Sequence, residues 1–303
     1  MDSMNWLWSK VVKTYLRIYS FFARRLGIHL RGLGFALRTL KRPFVFRTGE
    51  RWFYFDPAQA GAYITLMVDP YPEIETHLFL HRVLESHPGP LSFVDVGASI
   101  GEIVIDIAGY PQVTRVVAFE PQAAAAAAIR RSVELNGFQQ TTVVQKLVGK
   151  AQAQLEFTQS PCSPAASHIA EASERGTGIP LPCTTLDDEL QTLQGPVAMV
   201  IDVEGAEFQV IQGGREFVRR LRPLIVFEYQ EPQRGKFSLD EFQEMLGPGY
   251  SIYRLRGDGR LDQRFESTWN CVALADDSPL YDACRSSFHR DMAGPERPAV
   301  TAQ

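Results

Sequence analysis

The sequence predicts an α/β protein built on a doubly wound, mostly parallel sheet of seven strands. Three observations lead there: short apolar runs recur from Leu91 onward, helical stretches alternate with them, and several runs end in an acid or a glycine. Strands that are apolar along their whole length are covered on both faces, and their alternation with helices is the pattern of parallel sheets.

The first run is LSFVDVG (91–97), followed by the helical SIGEIVIDIAGY. RVVAFEP (115–121) comes second. PQAAAAAAIRRSVELNG then reads as a helix closed by Asn136 and Gly137, residue types that end helices in a left-handed turn. TTVVQKLVG (141–149) is the third strand and VAMVIDVEG (197–205) the fourth. AEFQVIQGGREFVRRLRP places Phe208, Ile211, Phe217, Val218 and Leu221 on one helical stripe before the fifth strand, LIVFEYQ. YSIYRLR (250–256) and STWNCVALA (267–275) complete the seven. LDD at 186–188 is expected to open a short helix capped by Thr185 or Asp187. Upstream, ERWFYFDP and GAYITLMVDPYP read as a strand pair. The chain thus divides into an arm (1–42), a lead-in segment on the acceptor side (43–90), the α/β domain (91–275) and a tail (276–303) read as disordered.

Charge sets the arm apart. Residues 1–42 hold nine Lys and Arg against one acid, Asp2, so they carry +8 of a net −4 and the rest of the chain carries −12. Lys10, Arg17, Arg24, Arg31 and Arg38 recur every seven residues, opposite Trp8, Val12, Tyr15, Tyr19, Phe22, Leu26, Leu30, Leu33 and Leu37. This is an amphipathic helix, with a break expected at Gly27, Gly32 and Gly34. A cationic face opposite an aromatic one suits the inner surface of an anionic membrane, giving peripheral association through residues 5–42; it equally suits packing on its own domain or on a second copy in a homo-oligomer. The net charge argues against a nucleic-acid partner. Four cysteines (162, 183, 271 and 284) without a close pair indicate neither a zinc knuckle nor a redox pair, and read as reduced thiols of a cytoplasmic protein. No run of apolar residues is long enough to span a membrane, and no cleavable leader is read.

The acids at the strand ends carry the functional argument. Asp95, Glu120, Asp202 with Glu204, and Glu228 stand where parallel strands finish, and ligands of such sheets bind beyond those ends. One such acid would merely cap the next helix; four at corresponding places surround a crevice. DVGASIG has a DxGxxxG spacing, unlike the GxGxxG that brings a pyrophosphate onto a helix, and the carboxylates would repel a pyrophosphate. S-adenosylmethionine instead offers a sulfonium, an ammonium and a ribose diol. Glu120 is placed to accept both ribose hydroxyls.

VDVGASIG, AFEPQ, the LNG after the helix, TTLDDEL and IDVEGAE together resemble the FkbM family of S-adenosylmethionine-dependent methyltransferases, over about Phe93 to Tyr229. The resemblance implies a class I methyltransferase fold, Rossmann-like, with S-adenosylmethionine as cofactor and O-methylation of sugar, glycolipid or secondary-metabolite hydroxyls as chemistry. It puts Asp95, Gly97, Ser99, Gly101 and Glu120 at the cofactor; Ala98, Pro121, Leu147 and Asp202 join them as neighbours. Where the family generally has Asn, this chain has Ser99.

Methyl transfer to a hydroxyl needs alignment and a proton acceptor. Asp202 is the first candidate for the catalytic group and Glu204 the second; alternation along the strand is expected to point them to opposite sides. His168 is a third candidate, in a long Ser, Pro and Ala-rich segment that reads as a lid or binding loop. Glu207, in a first helical turn, reads as structural, and Glu228 as bordering the acceptor pocket or supporting it. Trp52, Tyr54 and Tyr63 would suit a sugar ring or a core. The clustered carboxylates would also suit Mg²⁺, but no metal-ligand set is assigned: Glu73, His77 and His81 share a helical face that lacks the glutamate of HExxH and reads as a partly exposed polar face. The acceptor is expected to be a small molecule or glycan. N-methylation, or a non-catalytic cofactor-binding or membrane-associated scaffold, stand as alternatives.

Overall fold

The computed structural model describes residues 43–59, 71, 73–158, 178–265 and 270–289, together with 14, 62–63, 66 and 168–169. The arm, with its membrane and packing readings, lies outside the described residues apart from Thr14.

A hairpin of β1 (Phe44–Thr48) and β2 (Arg51–Phe55) precedes helix α1 (Ile74–Ser86). Then follow β3 (Leu91–Val96), α2 (Glu102–Ile107), β4 (Val113–Phe119), α3 (Ala123–Asn136) and β5 (Thr141–Val144). A small four-stranded sheet takes β6 (Leu147–Val148), β7 (Ala153–Thr158), β8 (His168–Ile169) and β9 (Ile179–Thr184). The chain continues through α4 (Leu186–Glu189), β10 (Val197–Ile201), α5 (Glu207–Gln212), α6 (Arg215–Leu221), β11 (Leu224–Glu228), α7 (Glu231–Arg234), α8 (Leu239–Leu246), β12 (Tyr250–Leu255), β13 (Leu261–Asp262), β14 (Asn270–Ala275) and α9 (Tyr281–Cys284).

The main sheet has the order β13-β12-β14-β11-β10-β3-β4-β5. Strands β5, β4, β3, β10 and β11 pair in parallel, whereas β14 is antiparallel to both β11 and β12. The seven expected strands are thus present in a mostly parallel sheet, and the two-residue β13 adds an eighth at the edge. The chain winds outward from β3 to β5, then crosses back to β10, so the switch in strand order falls between β3 and β10.

Side chains alternate between two cores. Phe93, Val116, Ala118, Val200 and Val226 pack on one face with Phe79, Val83, Val104 and Ile129 of α1, α2 and α3. Val94, Val96, Phe119, Met199, Ile201 and Phe227 pack on the other with Ile211, Phe217 and Phe242 of α5, α6 and α8.

Several expectations change at the edges of elements. The run 141–149 splits: Thr141–Val144 stays in the main sheet while Leu147–Val148 leaves to pair with β9. The helical stripe after Gly205 breaks at Gly213 and Gly214 into α5 and α6. The upstream strand pair is FVFRT with RWFYF; residues 62, 63 and 66 of the supposed partner are helical. Of the tail, residues 276–289 are described, with Tyr281, Cys284 and Ser287 buried and Phe288 bridging to Leu261. Cys183, Cys271 and Cys284 are buried and unpaired; Cys162 lies outside the described residues. Among the described residues no helix is long and apolar enough to cross a membrane.

Candidate functional site

At the carboxyl ends of β3 and β10 two loops meet. Gly97 N and Ala98 N donate to Phe119 O (3.0 and 2.9 Å), and Asp202 N donates to Val96 O (2.9 Å), so the ends of β3, β4 and β10 are tied into one rim. The contact is close enough to dictate a residue type. A Cβ on Gly97 would stand 1.8 Å from the Asp202 carbonyl oxygen, and its φ of +95° is in any case a glycine conformation. A Cβ on Gly101 would lie 3.0 Å from Ile129 of α3. These two glycines therefore answer to neighbouring protein atoms; the sequence pattern alone had pointed to a ligand above them.

Beyond this rim opens a cleft bounded by the loops that follow β3, β4 and β10. Of the residues expected at the cofactor, Gly97, Ser99, Glu120, Pro121, Leu147 and Asp202 line it. Asp95, Ala98 and Gly101 do not; Asp95 and Ala98 are buried behind the rim, and Gly101 starts α2. The sequence reading missed Phe119, Gln122, Lys146, Val148, Phe157, Val203 and Ala206, which also line the cleft. Phe157 reaches it from the small sheet, whose strands no periodicity had separated from the loop around them.

Glu120 is held from both sides. Its Oε2 accepts from Ser99 N (2.9 Å) and its Oε1 from Gln122 N (2.8 Å). Each carboxylate oxygen has two lone pairs, so one on each remains for a ligand in the cleft. Burial pushes this carboxyl up to about 7 despite the two amide donors. Ser99 pays for its donation with a left-handed φ of 49°.

The acids after β10 depart from expectation. The strand stops at Ile201, and residues 202–205 form a turn in which Glu204 adopts φ 55° and Gly205 φ 98°. Strand alternation ends with the strand, so Asp202 and Glu204 line the same cleft and do not point to opposite sides. Glu207 makes that turn: fully buried in the first turn of α5, it accepts on Oε1 from Val203 N (3.2 Å) and Gly205 N (3.1 Å). Neither Asp95 nor Asp202 caps a helix; α2 and α5 begin at Gly101 and Ala206 without side-chain caps. Thr185, by contrast, caps α4 by accepting from Asp188 N, while Asp187 accepts from Glu216 N and Phe217 N at the start of α6.

Asp202 is partly exposed as a residue, but its Oδ1 is enclosed and has no hydrogen-bond partner among the described residues. Its carboxyl is held well above the usual range by burial and then by Glu228, Glu73, Glu204 and Glu207. Glu228, at the end of β11, is pushed to about 8 by burial and by Glu204, Glu207 and Glu73; Gln230 and Gln233 donate to it. Asp95 is likewise raised, by burial first and then by Glu102, Glu73 and Glu120. The rim gathers carboxyls whose ionisation is opposed by burial and by one another, with Lys146 beside them, surroundings that a cationic ligand relieves.

Other candidates fall elsewhere. His168 sits in β8 opposite Thr158, and its side chain lies outside what is described. Tyr63 is buried and donates to Tyr54 O, and the backbone of Trp52 and Tyr54 is bonded to α3, so this group belongs to the hairpin's packing. Of the expected polar face, Glu73 is exposed and His81 partly so, but His77 is buried, and both His77 and His81 are bonded to Asp106 of α2.

A family model, the methyltransferase FkbM domain, matches residues 95–250, more than half of the chain. The chain belongs to the FkbM family. With that, the sheet described above is the class I methyltransferase fold and the family's methyl donor, S-adenosylmethionine, is the cofactor. Among solved structures, methyltransferase FkbM from Methylobacillus flagellatus KT is similar at 19% identity and a TM-score of 0.42, over 70% of this chain and 52% of that one. This FkbM-family chain therefore spans about half the length of that relative. M. jannaschii TYW2 in complex with AdoMet is similar at 14% identity and a TM-score of 0.40, over 77% of this chain and 84% of that one. No curated protein matches the chain.

The residues present fit the cofactor. Glu120 keeps a free lone pair on each oxygen for a vicinal diol, and the orphaned Asp202 Oδ1 calls for a donor or a cation.

Proposed function

We propose that the protein is an O-methyltransferase acting on a hydroxyl of a sugar, glycolipid or secondary metabolite. The observation that carries this reading is the meeting of Glu120, Asp202 and Glu204 in one cleft at the switch point of the sheet. Bound S-adenosylmethionine supplies an activated methyl group. Glu120, fixed by the Ser99 and Gln122 amides, accepts the ribose hydroxyls. Gly97, Ala98 and Ser99 form the loop beneath, with Pro121 and Leu147 beside it.

Asp202 takes the proton from the acceptor hydroxyl. A carboxylate in bulk water is too weak a base for this at neutral pH; one raised by burial and by four neighbouring acids is better matched to the task. Glu204 faces the same space and orients the acceptor through a second hydroxyl. Formation of S-adenosylhomocysteine on a pool of hydroxylated acceptors tests the reading. Asp202→Asn is expected to lower kcat by about 100-fold or more at saturating cofactor. Turnover that survives this substitution, or transfer to amines only, overturns it.

A further inference from the structure

Helices α1 and α2 converge on a cluster that the cofactor cleft does not use. His77 and His81, one helical turn apart on α1, both reach Asp106 on α2: His77 Nδ1 lies 2.7 Å and His81 Nε2 2.6 Å from the same oxygen, Oδ2. We propose that His77, His81 and Asp106 form a binding site for one divalent transition-metal ion of the zinc class.

The donor set argues for that class. Two imidazole nitrogens and a carboxylate oxygen suit zinc and its neighbours, whereas magnesium and calcium favour oxygen ligands throughout. The three donor atoms lie within 4.8 Å of one another. At metal–ligand distances of roughly 2.0–2.2 Å, tetrahedral donors stand about 3.3 Å apart, so replacing two hydrogen bonds by an ion asks the carboxylate to retreat by about half an ångström.

The surroundings supply what a site needs. His77 is buried, and rings close the cluster in: Tyr71 lies 4.9 Å from His77 and Tyr110 5.4 Å from His81, centroid to centroid. His81 and Asp106 form part of the wall of an open cavity of ≈ 490 Å³, lined also by Arg51, Tyr71, Glu102 and Tyr110, which gives an entry path and leaves a coordination position open. Glu102 Oε2 in that wall is buried and has no hydrogen-bond partner among the described residues. The cavity shares no lining residue with the cofactor cleft. An ion here would clamp α1 to α2, the helix that begins at Gly101 of the cofactor loop.

The test uses the full chain after treatment with a chelator. Zinc titration against a chromophoric competitor is expected to show one equivalent per chain. Both His81→Gln and Asp106→Asn should weaken it by more than the ~10–100-fold that loss of a supporting hydrogen bond costs a metal site. Because these groups also tie two helices together, a second readout leaves the wild-type chain intact: Co²⁺ should give the intense visible bands of a four-coordinate site. No stoichiometric zinc uptake by the folded wild-type chain, uptake that both variants retain, or Co²⁺ bands no stronger than those of the hydrated ion would each overturn the proposal.

Discussion

At Gly97 a single hydrogen atom decides whether two strand ends can touch. Gly97→Ala would push a methyl group into the Asp202 carbonyl, which belongs to the backbone and cannot rotate away. Gly101→Ala meets only the Ile129 side chain, although it shares the penalty of a positive φ. Urea denaturation should show Gly97→Ala losing more than ~2 kcal/mol and losing more than Gly101→Ala, since backbone overlap adds to the ~1–2 kcal/mol of the left-handed conformation; equal losses would mean that the strand ends separate easily. Glu120 offers a second case. Glu120→Ala removes the ribose acceptors and also strands the Ser99 and Gln122 amides, each at about 1–3 kcal/mol if left without water. Calorimetry should find cofactor binding lost, with the melting temperature lowered as well. Unchanged affinity would show the donor's sugar to lie elsewhere.

Elements are fastened to one another by side chains that local sequence cannot reveal. Asn136 reads as a helix stop, and it does end α3, yet it also accepts from Trp52 N (3.0 Å) and donates to Trp52 O (2.7 Å) on the free edge of β2. Ser132 serves the next amide of that edge, Tyr54 N. Asn136→Ala should therefore cost about 1–3 kcal/mol by chemical denaturation, far more than an exposed helix end would, because a strand edge loses its partner. Separation in sequence also hid the histidine cluster: His81 and Asp106 are 25 residues apart on different helices, and nothing in HLFLH announces the carboxylate. What was legible was whatever repeats. The buried strands showed themselves as unbroken apolar runs, and the acids at their ends marked the rim. The turn at 202–205 did not, because its shape is set by Glu207 reaching back to two amides, not by any period.

Across the whole molecule, buried carboxyls make stability depend on pH in an unusual sense. Glu120 and Glu102 are raised to about 7 and Glu228 to about 8, so near neutrality the folded chain keeps protons that an unfolded chain has released. Stability from these groups is full below about 4.5 and is lost as pH rises through about 7 to 8, the reverse of a salt-bridged carboxylate. Urea melts of the cofactor-free chain should show higher stability near pH 5.5 than near pH 8.5, with the difference reduced in Glu228→Gln; a chain more stable at the alkaline end would refute the assignment. The junction of Gly97 with the Asp202 carbonyl has one more consequence. The floor of the cleft is a seam between the two halves of the sheet, β3 to β5 on one side and β10 onward on the other. No spacer fits in that seam. A half-assembled chain, with either wing unformed, therefore lacks a wall of the cleft, the one formed by residues 202–206 or the one that carries Ser99 and Glu120.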